Sequence, residues 1–142
     1  MTVRAILDSK GHQILNVEPD AKLSAAVKIL GERKIGAVLV MNQGHLEGIL
    51  SERDIVRGLG LHGEDLLSRP VTQIMTRDVI TCQPADTVGA LMSEMTNRRI
   101  RHLPVVANGR LRGIVSIGDV VKNRLDEVEF EASSLRSFIA GG

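Results

Sequence analysis

Gly48-Ile49-Leu50-Ser51-Glu52-Arg53-Asp54 and Gly113-Ile114-Val115-Ser116-Ile117-Gly118-Asp119 are two versions of one phrase: a glycine, two apolar residues, a serine, and an aspartate three residues further on. They lie 65 residues apart, and the same shift aligns Leu15 to Ile55 with Ile80 to Val120 without a gap. Eleven of those 41 positions are identical, among them Pro19 with Pro84, Arg33 with Arg98, Ile35 with Ile100, Val40 with Val105 and Gly44 with Gly109. The heads correspond as well, Val3-Arg4-Ala5-Ile6-Leu7 with Val71-Thr72-Gln73-Ile74-Met75, once three extra residues are allowed before Leu15. Such a chain is two copies of one supersecondary unit, and neither copy buries its apolar face alone.

Each copy reads in the same order. A short apolar stretch, Gln13 to Val17 or Val79 to Cys82, precedes a proline and a polar turn. Leu23, Ala26, Val27 and Leu30 follow at helical spacing, as do Val88, Leu91, Met92 and Met95. Two apolar runs, Ala37 to Met41 and Leu46 to Leu50, flank Asn42-Gln43-Gly44-His45, and Leu103 to Ala107 and Leu111 to Val115 flank Asn108-Gly109; both read as hairpins. A helix then starts at Ser51 or Ser116 and runs to about Gly58 or Arg124.

The expected fold is therefore α+β: two pseudo-symmetric β-α-β-β-α units packed sheet to sheet, plus a C-terminal helix. The first unit takes residues 1–57, a linker 58–70, the second unit 71–124 and a helical tail 125–142. In the tail, Val128, Ala132, Leu135 and Ile139 form a narrow stripe suited to a helix lying on its own body or on a second subunit.

Composition narrows the function. Of 142 residues, 18 are Lys or Arg and 17 are Asp or Glu, so a net charge of +1 gives no bulk attraction to nucleic acid or to a membrane surface. There is no Trp or Tyr, and both Phe residues, Phe130 and Phe138, lie near the C-terminus. The body thus offers no rings on which single-stranded bases could stack. No run approaches the ~20 apolar residues of a membrane-spanning helix. The N-terminus lacks the order of a signal peptide, and the lone Cys82 is no disulfide framework, so a cytoplasmic location is expected.

Few residues invite chemistry. The spacing of His12, His45, His62 and His102 is not that of metal ligands, and Cys82 sits at a strand position as a small core hydrophobe. Arg98-Arg99-Ile100-Arg101 is basic, but at a helix-to-strand junction it suits a phosphate or helix carbonyls better than nucleic acid. No Gly-x-x-x-x-Gly-Lys loop is present, and no nucleophile, base or metal set converges, so an enzyme acting on nucleotides is not expected. The repeated serine and aspartate admit two readings. They form a capping box, in which each side chain satisfies the other's backbone N–H, or they mark a ligand cleft, where a helix N-terminus favours an anion and the carboxylate accepts from sugar hydroxyls. Duplication alone is compatible with both.

The tandem of β-α-β-β-α units, each ending in Gly-apolar-apolar-Ser-x-x-Asp, with Arg101-His102-Leu103-Pro104-Val105-Val106 ahead of the second ending, resembles a CBS-domain pair, or Bateman module, over roughly residues 3 to 124. It is similar to the stand-alone modules and to the regulatory module of inosine monophosphate dehydrogenase. The resemblance implies a non-catalytic, adenosine-nucleotide-binding, energy-sensing regulatory module. It implies AMP, ADP or ATP as ligand, with NAD or S-adenosylmethionine as further candidates, and no catalytic cofactor. By the same resemblance one cleft joins Ile49, Ser51, Arg53 and Asp54 to Ile14, Leu15, Ile35, Gly36 and Ala37, and the other joins Ile114, Ser116, Gly118 and Asp119 to Val79, Ile80, Ile100, Arg101 and His102. Asp54 and Asp119 would hold ribose hydroxyls, aliphatic residues would sandwich adenine, and Ser51, Ser116, Arg53, Arg101 and His102 would face phosphate. The implied partners are a second copy, in a flat homodimer, and a regulated protein the sequence does not name. The alternative is a structural or protein-interaction module with empty clefts, whose serines and aspartates only cap helices.

Overall fold

A computed structural model of the chain describes residues 1–141; Gly142, the last residue of the expected tail, lies outside the described residues. The elements are α1 (Val3–Lys10), β1 (Asn16–Val17), α2 (Leu23–Arg33), β2 (Ala37–Asn42), β3 (His45–Ser51), α3 (Glu52–His62), 3-10 turns at Gly63–Ser68 and Val71–Gln73, α4 (Val88–Arg98), β4 (His102–Ala107), β5 (Arg110–Ser116) and α5 (Ile117–Gly141). The fold is α+β, and the 65-residue period survives in its backbone. α2 and α4, β2 and β4, and β3 and β5 have equivalent bounds, and each hairpin slips register at the same place, after Val40 and after Val105. The hairpins turn on Gln43-Gly44 and Asn108-Gly109, all at positive φ, which gives a tight turn whose twist matches that of the strands.

The first copy forms the sheet β1-β2-β3, with β1 parallel to β2, and the second forms β4-β5. The strand expected from Val79 to Cys82 is reduced to one parallel bridge between Cys82 and Val105. Leu39 donates its N–H to the Leu15 carbonyl at 3.2 Å in the first copy. Pro104 occupies the equivalent place in the second and has no N–H to give.

The chain forms two compact units, and neither is one continuous repeat. One comprises Gln13–Ile80, the other Met1–His12 together with the chain from Thr81 onward. The boundaries at 57 and 71 read from the sequence count the repeat period, whereas the compact units exchange heads: each body carries the head of the other copy. α1 is held on the second body by Val3 N–H to Asp86 O (2.9 Å), Arg4 N–H to Pro84 O (2.9 Å) and Val88 N–H to Met1 O (3.0 Å). The turn Val71–Gln73 is held on the first body by Val71 N–H to Ala21 O and Leu23 N–H to Arg69 O, both 2.9 Å. Val3, Ile6 and Leu7 of one head and Val71 and Met75 of the other are buried, so the exchange is driven by apolar burial.

The repeated glycine of each phrase makes room for these heads. A Cβ on Gly113 would stand 2.8 Å from Leu7 Cδ2, and a Cβ on Gly48 would stand 2.6 Å from Met75 Sδ and 2.8 Å from the Thr76 carbonyl.

Three further expectations change. Residues 58–70, expected as a linker, are largely helical, since α3 continues to His62 and the following 3-10 turn buries Leu66 in a core with Val17, Leu23, Leu30 and Leu50. Gly58 does not stop α3; its bare backbone lets Leu66 approach, and a Cβ there would be 3.0 Å from Leu66 Cδ1. The helix expected to end near Arg124 runs on through the tail without a break, because no glycine or proline falls between Asp119 and Ala140. Met92, placed on the buried stripe of α4 by spacing, is 37% exposed, while Met95 is buried.

Candidate functional site

Ser51 is the N-cap of α3, and its reciprocal bonds with Asp54 complete a capping box. The Ser51 N–H donates to Asp54 Oδ2 at 3.0 Å, the Ser51 hydroxyl to the same oxygen at 3.1 Å, and the Asp54 N–H returns to Ser51 Oγ at 3.3 Å. Thr76 Oγ1 donates to the other carboxylate oxygen at 3.2 Å. Asp54 is buried, the one charged residue among the buried residues described. A buried carboxylate needs such donors, since desolvation without them is costly.

The second copy repeats the box, with Ser116 N–H to Asp119 Oδ2 at 2.9 Å and Asp119 N–H to Ser116 Oγ at 3.2 Å. Its third partner differs. Lys10, the last residue of α1, donates from Nζ to Asp119 Oδ2 at 2.6 Å and to the Ile114 carbonyl at 2.9 Å. Burial pushes the Asp119 carboxyl up, but the hydrogen bond from Lys10, the Ser116 amide and the Lys10 charge outweigh it and hold the group below its ordinary value of 3.8. In the first copy the residue equivalent to Ile114 is Ile49, and it is served by main chain alone: Ile49 N–H to Thr76 O at 2.9 Å and Thr76 N–H to Ile49 O at 2.8 Å.

Backbone bonds bring the start of each hairpin to these boxes. Gly36 O accepts from Glu52 N–H at 3.0 Å and Arg101 O from Ile117 N–H at 2.8 Å, while Ala37 is paired with Ser51 and His102 with Ser116. Gly36, Ala37, Ile49, Ser51 and Asp54 therefore meet at one end of the first sheet, and Arg101, His102, Ile114, Ser116 and Asp119 at one end of the second. Leu15 joins the first group through β2, and Ile35 packs on the core cluster beside it. Arg53 is exposed on the first turn of α3, where α5 has the exposed Gly118. Ile14 and Ile100 are half-buried; Val79 and Ile80, also half-buried, close the Gln13–Ile80 unit.

Sequence reasoning assigned each carboxylate to residues of its own copy and missed Lys10 and Thr76. Both come from the other copy's head, so periodicity within a copy could not point to them; the repeated Gly48 and Gly113 were the available signal. The Cys82 thiol is buried and pushed up to about 12, chiefly by burial and then by the nearby Asp86 charge, which leaves it inert at neutral pH. Among the described residues no group of three or more His, Cys, Asp or Glu could hold a metal ion, and no helix is long and apolar enough to cross a membrane.

A duplicated α+β unit with a carboxylate locked at the mouth of each hairpin defines a paired-repeat module, and comparison with known proteins says which. The CBS-domain model matches residues 3–60 and 71–126, and the chain belongs to this family as a tandem CBS pair. The CBS domain-containing protein CBSX3, mitochondrial, of Arabidopsis thaliana is 35% identical over 99% of this chain and 73% of its own length. The crystal structure of the CBS-domain containing protein ATU1752 from Agrobacterium tumefaciens is 44% identical, covers 87% of this chain and 99% of its own, and superimposes with a TM-score of 0.86. The CBS domain pair of protein MJ0100, solved in complex with 5-methylthioadenosine and S-adenosyl-L-methionine, is 26% identical over 89% of this chain and 98% of its own, with a TM-score of 0.79.

Proposed function

We propose that this CBS pair is a non-catalytic regulatory module that binds an adenosine nucleotide, AMP, ADP or ATP, with NAD and S-adenosylmethionine as further candidates. The observation that carries the reading is the repeated carboxylate, fixed by a capping box beside a strand end and a helix N-terminus, in a chain whose relative MJ0100 was solved with two adenosine compounds. Asp54 and Asp119 accept from ribose hydroxyls, Ile14, Leu15, Ile35, Ile49, Val79, Ile80, Ile100 and Ile114 supply aliphatic walls, and Ser51, Ser116, Arg53, Arg101 and His102 face phosphate. The Asp119 site has Arg101 and His102 where the Asp54 site has Gly36 and Ala37, and it is the better polyphosphate site. A ligand that binds one arrangement of the module more tightly shifts its population and changes the surface a regulated protein reads. The module acts in the cytoplasm as a homodimer.

The test is calorimetric titration with AMP, ADP, ATP, NAD and S-adenosylmethionine. Heat or thermal stabilisation with any of them supports the reading, and folded protein that gives neither at millimolar ligand removes it.

A second reading is favoured by the capping boxes themselves: a structural or protein-interaction module in which Asp54 and Asp119 do no more than cap helices. Asp54→Asn and Asp119→Asn that lower stability, in a protein that never bound nucleotide, would establish it.

A further inference from the structure

The two boxed carboxylates are finished by partners of different charge, and the difference is written in the two heads. Asp54 receives a neutral hydroxyl, Thr76 Oγ1, at 3.2 Å. Asp119 receives an ammonium, Lys10 Nζ, at 2.6 Å. The heads align with a shift of 68 residues, Val3 on Val71, and the same shift places Asp78 where Lys10 stands. The cation at the second box thus belongs to one head alone, and the other head has an exposed carboxylate at that place.

Lys10 is held at the box. Its ammonium has three protons to donate; one goes to Asp119 Oδ2 and one to the Ile114 carbonyl at 2.9 Å, and the third is available to a ligand, the side chain being 33% exposed. Two residues on, His12 Nδ1 lies 2.9 Å from the Arg112 carbonyl oxygen, so the chain is fastened to β5 on both sides of Gly11. The ammonium does two things to the carboxylate that the proposed function gives to ribose. It occupies an oxygen that would otherwise accept from a ribose hydroxyl, which lowers affinity for every riboside, phosphorylated or not. It also cancels the carboxylate's charge within one nucleotide's length of the 5′-phosphate, which raises affinity for phosphorylated ribosides alone. Arg101 and His102, at the start of β4, stand on the same side of that balance. The Asp54 box has Gly36 and Ala37 in their place and an uncharged Thr76 in place of Lys10; its cation, Arg53, comes from α3 itself and not from a head.

We infer that Lys10 is the specificity-determining residue of the Asp119 site, setting it to take 5′-phosphorylated adenosine compounds over uncharged adenosine. This rests on the nucleotide-binding reading above. The test is calorimetric titration with AMP and with adenosine, in the full chain carrying Asp54→Asn to weaken the other site. With Lys10 present, AMP is expected to bind more tightly than adenosine. Lys10→Met and Lys10→Gln each narrow that preference by about tenfold, because the uncovered carboxylate gains a bond to ribose and repels the phosphate, and Lys10→Arg keeps it. A lysine that only tied α1 to β5 would, once removed, lower both affinities alike and leave their ratio unchanged. A ratio that is unchanged in both neutral variants, or that falls as far in Lys10→Arg as in them, overturns the inference, and AMP binding in the same titrations leaves the nucleotide reading standing. If the folded chain with both Lys10 and Asp54 intact binds neither ligand, the nucleotide reading falls and the inference falls with it.

Discussion

Lys10 Nζ lies 2.6 Å from Asp119 Oδ2, joining the end of the first copy's head to the helix start of the second. The Asp54 carboxylate has a neutral hydroxyl from Thr76 in the corresponding role. Two near-identical phrases are thus finished differently, one by an ion pair and one by main chain and a threonine, and the copies should respond differently to pH and to mutation.

Acid should reveal the ion pair. Asp119 holds its proton less tightly when folded than when unfolded, so the pairing stabilises the fold above the ordinary value of 3.8 and the benefit is lost as pH falls through 3.8 toward the lower folded-state value. Lys10→Met is expected to cost about 0.5–1 kcal/mol at neutral pH, the pair being partly exposed, and to move acid unfolding to higher pH. Thermal melts of both proteins from neutral pH downward check this; a difference that does not shrink in acid refutes it.

Replacing the carboxylates separates capping from binding. Asp54→Asn and Asp119→Asn each weaken a helix cap, at about 0.5–2 kcal/mol. Under the proposed function each also removes a charge-assisted bond to ribose, a loss of roughly tenfold to a hundredfold in nucleotide affinity at its own site. Titration calorimetry beside denaturant unfolding reads both effects.

The two glycines should not tolerate alanine equally. At Gly113 the new methyl meets the flexible tip of Leu7, but at Gly48 it meets the Thr76 carbonyl, which is backbone. Gly48→Ala is expected to cost about 1–3 kcal/mol by overpacking and to loosen the Thr76 contact with Asp54; Gly113→Ala costs less. Urea unfolding of the two variants gives the order directly.

Leu66→Ala tests whether residues 58–70 belong to the fold. A fully buried leucine in the core cluster predicts a loss of about 2–5 kcal/mol, where a flexible linker would lose almost nothing. Chemical unfolding of this single variant is sufficient.

Much was legible without coordinates. Paired hairpins, the α2 and α4 stripes, and the serine–aspartate phrases rest on local periodicity and capping chemistry, which act within a few residues of chain. The narrow apolar stripe of Val128, Ala132, Leu135 and Ile139 in α5 is likewise written in its spacing. The missing second-copy strand was legible in part, since Pro104 lacks an N–H wherever it folds.

What the sequence determined by itself was the repeat, the two hairpins, the helices α2 and α4 and the spacing that lets Ser51 cap with Asp54 and Ser116 with Asp119, because each follows from short-range geometry. Only the tertiary structure decided that the heads change places, that Leu66 is core, and that Lys10 and Thr76 reach the two carboxylates. Those outcomes depend on which apolar surfaces meet across distant stretches of chain, and burial carries no signature in local spacing to say with what it will pair.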